Sequence, residues 1–444
     1  MATLLKEHVH GTIPGPGGDM PLRGDVMDGK RYTSREFMER EWEQMWTRVW
    51  HIGGFDYQIP EAGDYITADM GRENILMVRQ RDGGIKAFFN VCQHRGAKLV
   101  FNEEGSVDDI VCPYHGWKWD IGGGLNWAQD PEDFPEGDPC DNLRLEEIPC
   151  DVEFGMIWYN MDPECGSLQD YLGPIIEEFE PYHFENMVRV LNMTARTDCN
   201  WKVIEDNFNE GYHVTALHPQ IAAYIEAYYK NCQFDIYEEG HNRGWFPSGT
   251  PAAFVDVDEP GPELAGMMSA WDLDPEDFKG PGRAQDVRLA IQQQKRKLGA
   301  ERGYKHYDDL ADHQLTDYII YNLFPNYSIT VGPDGTQLLR PRPHPTDPEK
   351  CLFDHWYFVP KIEGVDAVPS PAGGPDLPLE DAPMELIDCG EATLGTVCDQ
   401  DLSIAIRQQE GLRSRSYKDS YLAHQERRVR RFHEVLNDYL DGRR

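Results

Sequence analysis

Two short segments that each carry one cysteine and one histidine constrain the fold of this 444-residue chain more than any other feature. The first reads CQHRG at residues 92–96, and the second reads CPYHGW at residues 112–117. Thiolate and imidazole groups both bind iron and zinc, so the ligand types alone do not select the metal. The pattern predicts one metal centre whose ligands are Cys92, His94, Cys112 and His115.

The order of the ligand types favours iron over zinc. Structural zinc sites commonly pair Cys with Cys and His with His along the chain, whereas each segment here supplies one of each. This order matches a [2Fe–2S] cluster in which two His replace two Cys on one iron. Neutral imidazoles raise the reduction potential of such a cluster, so the predicted role is one-electron transfer. Structural zinc and four separately buried residues are the alternatives.

A second group of ligand-type side chains lies at residues 200–219. Read as a helix, this segment places Glu210, His213 and His218 on one half of the helical wheel. Two His and one carboxylate form the facial triad that holds non-haem Fe(II) and leaves positions open for dioxygen. His213 and His218 are therefore predicted iron ligands, and satisfied core histidines are the alternative for either one taken alone.

The third iron ligand is predicted from the segment DQDLSIAIRQQEG at residues 399–411. Asp401 is the best candidate, and Asp399 is its competitor. Asp206, one helical turn before Glu210, is a candidate for supporting the site through a hydrogen bond, with a solvated helix acid as the alternative. Glu210 and Asp206 are thus the candidate catalytic residues beside the metal ligands.

Composition excludes several classes of protein. The chain has 42 Lys and Arg against 78 Asp and Glu, a formal net charge of −36. Nucleic-acid binding is excluded because it requires a basic surface. No stretch approaches the ~18 consecutive apolar residues of a membrane span, and the first twenty residues contain no apolar run of signal-peptide length. We therefore expect no membrane contact and a cytoplasmic location.

Changes in hydrophobic pattern predict the organisation of the chain. Residues 1–50 are expected to form an arm and a first helix, which begins at Thr33 with a Thr-x-x-Glu capping box. Short apolar runs separated by Gly, Asp and Asn turns predict a small antiparallel β domain at 51–165. Helical and strand patterns then mix over 166–444, with an insertion at about 230–315, so the fold class is α+β.

Several elements of the second domain are predicted from periodicity. Helices are expected at 168–182, 200–218 and 284–298, and a terminal helix at 413–444. Strands are expected near 186–194, 325–331, 337–340 and 351–359. Aromatic residues such as Tyr224 and Trp245 are candidates for lining a pocket and are equally good core residues.

In these motifs the sequence resembles the α subunits of Rieske non-haem iron aromatic-ring-hydroxylating oxygenases. The resemblance rests on Cys-x-His with Cys-x₂-His, acid-x₂-His-x₄-His and a late Asp followed by Gln and Gly, and it covers nearly the whole chain. It implies a Rieske [2Fe–2S] domain and a helix-grip (START/Bet v1-like) catalytic domain with an antiparallel sheet. It also implies a homotrimer, or an α3β3 assembly with a small β subunit.

The resemblance also implies roles for individual residues. Cys92 and Cys112 would hold one iron of the cluster and His94 and His115 the other, while His213, His218 and Asp401 would hold the catalytic iron. An acid at the position of Glu210 would link the cluster of one subunit to the iron of its neighbour. Most ring dioxygenases have Asp there, and Glu is more typical of members that act on quaternary ammonium compounds.

The predicted function is the terminal oxygenase of a multicomponent system. No Gly-x-Gly-x-x-Gly segment opens a strand–helix unit, so electrons are expected from a separate ferredoxin or reductase. With O₂, the protein would hydroxylate or dihydroxylate an aromatic or polycyclic substrate. The alternative is a monooxygenase that acts on a quaternary ammonium or N- or O-methyl compound by demethylation or C–N cleavage. A non-catalytic Rieske electron carrier is the third hypothesis.

Overall fold

Residues 12–16 and 20–444 are described by the computed structural model of the chain. They form two units: Arg40–Gly173, and the residues up to Glu39 together with Pro174–Arg444. The chain passes from one unit to the other between residues 39 and 40 and again between residues 173 and 174. The sequence predicts domain boundaries at residues 50 and 165. The predicted N-terminal arm falls partly outside the described residues. None of the helices in the described part of the chain is long and apolar enough to span a membrane.

The first helices are α1 (Lys30–Thr33) and α2 (Arg35–Glu41), followed by a π-helical turn at Trp42–Trp46. The predicted cap at Thr33 is wrong, because its hydroxyl donates to the Gly29 carbonyl at 2.9 Å. Ser34 has an extended backbone and its Oγ accepts from the Phe37 N–H at 3.3 Å. A hydroxyl in that position satisfies an open N–H at the helix start, so α2 begins after Ser34.

Strands dominate the unit Arg40–Gly173. A five-stranded sheet has the order β5-β2-β3-β4-β9, and two three-stranded sheets have the orders β1-β11-β10 and β6-β7-β8, with antiparallel pairing throughout. The strands are β1 (Trp50–Phe55), β2 (Asp64–Met70), β3 (Glu73–Arg79), β4 (Ile85–Phe89), β5 (Glu104–Ser106), β6 (Asp109–Val111), β7 (Lys118–Asp120), β8 (Leu125–Trp127), β9 (Glu147–Ile148), β10 (Cys150–Glu153) and β11 (Met156–Asn160). The predicted small antiparallel β domain is confirmed.

One apolar cluster of this unit contains both candidate cysteine ligands. Cys92 and Cys112 pack there with Leu76, Phe88 and Trp119, and all five side chains are buried. Burial among apolar side chains excludes water from the two thiols.

The helix predicted over 168–182 is broken into α3 (Leu168–Leu172), α4 (Ile175–Phe179) and a 3₁₀ turn. Gly173 adopts φ +53°, which ends α3, and the following Pro174 precedes the first residue of α4. A positive φ is readily accessible to glycine, so the break follows from the local sequence.

An eight-stranded sheet organises the second unit in the order β13-β14-β15-β16-β17-β18-β12-β21. Pairing is antiparallel except between β12 and β21. The strands of this sheet are β12 (Met187–Thr197), β13 (Gln233–Ile236), β14 (Asn242–Phe246), β15 (Tyr318–Leu323), β16 (Tyr327–Gly332), β17 (Gly335–Pro343), β18 (Cys351–Pro360) and β21 (Glu385–Asp388). A separate antiparallel pair is formed by β19 (Ala367–Val368) and β20 (Leu377–Pro378). The four predicted strands and the α+β class are confirmed.

Helices of this unit are α5 (Trp201–Phe208), α6 (Val214–Leu217), α7 (Pro262–Ser269), α8 (Val287–Leu298), α9 (Thr396–Leu412) and α10 (Arg427–Leu440). The predicted insertion at 230–315 supplies the sheet strands β13 and β14 as well as α7 and α8. The terminal helix begins at Arg427, later than the predicted residue 413.

The continuous helix predicted over 200–218 is wrong. α5 ends at Phe208, α6 is Val214–Leu217, and Glu210 and Gly211 lie between them outside any helix. The buried Asn209 amide donates to the carbonyl of Glu205 at 2.9 Å and to its carboxylate at 2.8 Å. The Asn209 backbone N–H also donates to the Glu205 and Asp206 carbonyls, each at 3.1 Å, so Asn209 closes the last turn of α5 with both its backbone and its side chain.

A buried carboxylate forms hydrogen bonds across three neighbouring strands of the large sheet, β17, β18 and β12. Asp354 on β18 accepts from Arg340 Nε and Arg342 Nε, each at 2.7 Å, and from Thr194 Oγ1 at 2.8 Å. Burial alone would raise the pKa of the Asp354 carboxyl, but the two guanidinium groups lower it to about 2. Asp354 therefore remains ionised in the folded protein at neutral pH.

We expect Asp354→Asn to lower the free energy of unfolding by about 3 kcal/mol, because it removes the buried carboxylate that both guanidinium groups bind. Guanidinium chloride unfolding measures this. Asp388→Asn is the matched control: its ion pair with Arg196 is exposed, so the change should stay below ~1 kcal/mol.

The same variant makes a pH prediction. The folded pKa of Asp354 lies below its unfolded value, so its stabilisation is complete above about pH 4 and is lost as the pH falls toward 2. The stability difference between wild type and Asp354→Asn should shrink over that interval. A difference that does not change with pH would contradict the assignment.

Candidate metal centres and active-site cavity

The two Cys/His segments form loops with the same backbone hydrogen bonds. The Cys92 N–H donates to the Ala97 carbonyl at 2.8 Å, and the Gly96 N–H donates to the Cys92 carbonyl at 3.0 Å. The second loop repeats this, with the Gly116 N–H donating to the Cys112 carbonyl at 3.0 Å. Gly96 and Gly116 both have φ +73°, a conformation that strains other residues.

The side chains of these loops face one another. The His94 and His115 ring centroids lie 4.6 Å apart, and the Nδ1 atoms of both rings are buried with no hydrogen-bond partner among the described residues. Burial raises the pKa of the Cys92 thiol, and the adjacent Cys112 thiol raises it further. Two orphaned ring nitrogens beside two thiols are costly without a shared ligand, and this donor set fits an iron–sulfur cluster.

A second group of ligand atoms lies in the other unit. One ring nitrogen of His213, one ring nitrogen of His218 and one carboxylate oxygen of Asp401 lie within 4.8 Å of one another. Asp401 Oδ1 lies 2.7 Å from His218 Nε2 and 3.6 Å from His213 Nε2. The histidines flank the one-turn helix α6, and Asp401 comes from α9. We refer to these three residues as the triad.

Hydrogen bonds on the other ring nitrogens orient both imidazoles. His213 Nδ1 contacts the Glu210 carboxylate, and His218 Nδ1 lies 2.7 Å from Gln400 Oε1. Gln220 Nε2 donates to the same Gln400 oxygen at 2.9 Å, which fixes the orientation of that amide. A donor N–H on each Nδ1 leaves both Nε2 lone pairs directed at the centre of the triad, as a metal ligand requires.

The structure distinguishes the two candidate aspartates. Asp399 accepts from Thr393 Oγ1 at 2.6 Å and from the Leu394 N–H at 2.9 Å. Its carboxylate therefore bonds the segment that precedes α9. Asp401 is the one that meets the histidines. We therefore propose Asp401 as the third iron ligand.

Asp206 lies apart from the triad, contrary to the predicted supporting role. Its carboxylate accepts from the Tyr32 hydroxyl at 2.7 Å and from His433 Nε2 at 2.9 Å. These bonds join α5 to α1 and α10. The alternative of a solvated helix acid is also wrong, because the side chain is only 13% exposed. Asp206 was expected near the iron because a continuous helix would place it one turn before Glu210.

A cavity of about 460 Å³ opens beside the triad. We call it the triad cavity. Its apolar lining includes Val214, Ile221, Ile225, Phe246, Ile320 and Leu394. Tyr224 lines it as a pocket candidate, whereas Trp245 is a core residue whose Nε1 donates to Asp317 at 2.8 Å.

Asn207 is a lining residue that the sequence analysis missed. Its Nδ2 is buried and has no hydrogen-bond partner within the described chain, so it offers a donor beside the triad. Its place six residues before His213 was the available signal, but the predicted helix concealed which way the side chain faces.

Family comparisons match both units. Residues 49–137 match the Rieske [2Fe-2S] domain, and residues 184–442 match the ring hydroxylating alpha subunit (catalytic domain). The second match covers more than half of the chain.

Curated relatives align with parts of the chain. The carnitine monooxygenase oxygenase subunit of Escherichia coli (strain K12) is 31% identical over 246 residues, 53% of this chain and 65% of that protein. The glycine betaine monooxygenase oxygenase subunit of Pseudomonas aeruginosa (strain UCBPP-PA14) is 30% identical over 192 residues, 43% and 44% of the two chains. The biphenyl dioxygenase subunit alpha of Metapseudomonas furukawaii is 30% identical over 270 residues, 54% and 56%. Each alignment spans less than two thirds of the relative.

Solved structures share the fold. A quaternary ammonium Rieske monooxygenase in complex with L-carnitine superposes with a TM-score of 0.62 at 18% identity, covering 93% of this chain and 95% of that one. A naphthalene 1,2-dioxygenase mutant bound to phenanthrene gives 0.66 at 20% identity, covering 95% and 93%.

Fold and ligand groups together define an oxidoreductase with an iron–sulfur unit and a mononuclear iron unit in one chain. The chain belongs to the family of ring hydroxylating alpha subunits, which are Rieske non-haem iron oxygenases. Its cofactors are accordingly a [2Fe–2S] cluster and a mononuclear iron. We propose that Cys92, His94, Cys112 and His115 hold the cluster and that the triad holds the single iron.

We expect Asp401→Asn to lose the mononuclear iron while keeping the cluster, because the triad loses its only anionic ligand. Iron content per chain and the visible absorption of the cluster measure the two centres separately. Asp399→Asn is the matched control on the same helix and should retain both. Full iron content in Asp401→Asn would refute the assignment of this ligand.

Proposed function

We propose that this chain is the terminal oxygenase component of a multicomponent system that hydroxylates a mainly apolar aromatic or polycyclic substrate with O₂. We base the choice of substrate class on the lining of the triad cavity. Its wall is mainly apolar, and no Lys or Arg occurs among the described residues that form it. An apolar ring buried there gains about 25 cal/mol for each Å² of apolar surface removed from water.

Polar groups on the sheet side of the wall are uncharged, whereas Glu210 and Glu226 supply carboxylates elsewhere in the lining. Ser328, Thr330 and Gln337 supply hydroxyl and amide groups that can orient a ring without requiring a charge on it. Carnitine and glycine betaine both carry a carboxylate, which would enter this cavity without a cationic side chain in the wall to pair with. The lining therefore favours a substrate that carries no anionic group on the part beside the triad.

A quaternary ammonium or N- or O-methyl substrate is the second candidate. Two of the relatives at about 30% identity are named for carnitine and glycine betaine, and Glu210 is the acid typical of that group. Tyr224, Phe246 and Tyr318 also line the cavity, and aromatic faces attract cations. Demethylation or C–N cleavage would be the reaction on such a compound.

The residues of the chain have distinct roles in this proposal. The mononuclear iron, when bound, supplies the reduction and activation of O₂, and the cluster supplies electrons to it. Glu210 fixes the His213 ring, and its carboxylate also accepts from the backbone N–H of His213 at 3.1 Å. Gln400 fixes the His218 ring in the same way. Both imidazoles are therefore positioned before substrate enters.

Assembly and electron supply belong to the same proposal. A ferredoxin or reductase would reduce the cluster, and the net charge of −36 suits docking of a basic partner. A homotrimer or an α3β3 assembly would place the cluster of one subunit near the iron of the next. Glu210 would then bridge His213 to a cluster histidine of the neighbouring subunit.

Substrate class is tested with the iron-loaded protein and a surrogate ferredoxin–reductase pair. We expect biphenyl and phenanthrene to stimulate O₂ consumption and to yield hydroxylated products by mass spectrometry, whereas L-carnitine and glycine betaine should not. Demethylated or cleaved ammonium products alone would support the second candidate. A reducible cluster with no substrate-dependent O₂ consumption on any compound would support an electron carrier.

Removing the Glu210 carboxylate should separate metal binding from turnover. We expect Glu210→Ala to retain both metals but to lower product formation by about 10- to 100-fold, because the proposed bridge from His213 to the cluster of the neighbouring subunit is broken. Glu210→Asp is the conservative comparison and should recover part of the activity. Normal product formation by a fully loaded Glu210→Ala protein would contradict this role.

A further inference from the structure

A second cavity of about 380 Å³ adjoins the triad cavity. Four residues line both cavities, namely Tyr318, Thr330, Gln337 and Pro371. We call the second one the hairpin cavity, because it reaches the turn between β16 and β17 at Pro333 and Asp334.

The strand residues show how the two cavities are arranged. Along β16, Ser328 lines only the triad cavity, Thr330 lines both, and Gly332 lines only the hairpin cavity. The same order holds along β17 for Leu339, Gln337 and Gly335. Alternate residues of a strand point to the same face of a sheet. The cavities therefore lie end to end on one face, and Ser328 to Gly332 spans about 13 Å at ~3.3 Å per residue.

Tyr318 lies where the two cavities meet. It lines both of them, and 40% of its surface remains accessible. The accessible surface of Tyr318 is thus the surface that a bound molecule would cover as it extends from one cavity into the other.

Lys295 on α8 lines the far end of the hairpin cavity and is only 5% exposed. Its Nζ donates to Asp334 Oδ2 at 2.5 Å and lies 5.3 Å from the ring centroids of Trp271 and Tyr307. An ammonium group has three N–H donors, and Asp334 is its one hydrogen-bond acceptor in the described part of the chain. A buried cation with unused donors is a recognition group for an oxygen acceptor.

We propose that Lys295 determines substrate specificity by binding a carbonyl or carboxylate oxygen at the end of the substrate remote from the oxidised position. The substrate class is then an extended aromatic molecule with an apolar body in the triad cavity and an oxygen acceptor in the hairpin cavity. This rests on the proposed function, whose apolar triad cavity it extends. Asp334 holds the ammonium in place when no substrate is bound, which avoids an unpaired buried charge.

Binding to the oxidised, iron-loaded protein tests the proposal without turnover. Isothermal titration calorimetry compares biphenyl, 4-acetylbiphenyl and biphenyl-4-carboxylate on wild type, Lys295→Met and Lys297→Met. Lys297 is the matched control, since it is an exposed lysine on the same helix. Wild type should bind at least one acceptor-bearing probe about tenfold more tightly than biphenyl, as expected for a charge-assisted hydrogen bond. Lys295→Met should abolish that preference, and Lys297→Met should retain it.

The outcomes separate the possible acceptors. A Lys295-dependent preference for both substituted probes identifies a carbonyl oxygen as sufficient, and a preference for the carboxylate alone identifies an anion. A preference that survives in Lys295→Met, or no binding of any probe to wild type, overturns the proposal. Tight, Lys295-dependent binding without product formation would count against the proposed reaction and leave the role of Lys295 standing.

Asp334→Asn provides a second variant in case Lys295→Met fails to fold, which loss of the mononuclear iron would show. It keeps Lys295 but weakens the competing acceptor. We expect the preference for the acceptor-bearing probes to increase by a few-fold. An unchanged or smaller preference would overturn the role of Lys295.

Discussion

The contact of Asp401 with His213 and His218 is the interaction on which the rest of the catalytic unit depends. It joins side chains that are more than 180 residues apart, and it forms only because the chain leaves its helix after Phe208. The Asn209 amide ends that helix, and the two histidines can then flank a separate single turn. A continuous helix through the same residues would not present them in this way. The metal site is therefore a product of helix termination as much as of ligand chemistry.

Contacts within the protein hold the imidazoles of the two proposed metal centres by different means. In the triad, hydrogen bonds to Glu210 and Gln400 occupy Nδ1 and leave Nε2 as the free nitrogen. In the cluster loops, both Nδ1 atoms are left without a protein partner, and Trp117 stacks on His94 at 4.4 Å. The first arrangement fixes a ring through polar contacts and the second through aromatic packing and tight glycine-containing loops.

Much of this could be predicted from sequence because ligand chemistry is local. Spacing and residue type were sufficient to propose Cys92, His94, Cys112 and His115, and strand periodicity was sufficient for four of the eight strands of the large sheet. Features that depend on distant partners could not be read in the same way. Asp206 faces His433 from α10, the end of α5 depends on a side-chain hydrogen bond, and the choice of Asp401 over Asp399 depends on the bonds made by Thr393 and Leu394.

The triad comes from helical and inter-helical segments, whereas the floor of the two cavities comes from alternate positions of neighbouring strands. Chemistry and shape are thus encoded in separate parts of the chain. Substitutions at every second strand position would alter which molecules fit while leaving the iron ligands and their hydrogen bonds in place. A scaffold built in this way can acquire new substrates through a handful of independent changes, each of which preserves oxygen activation.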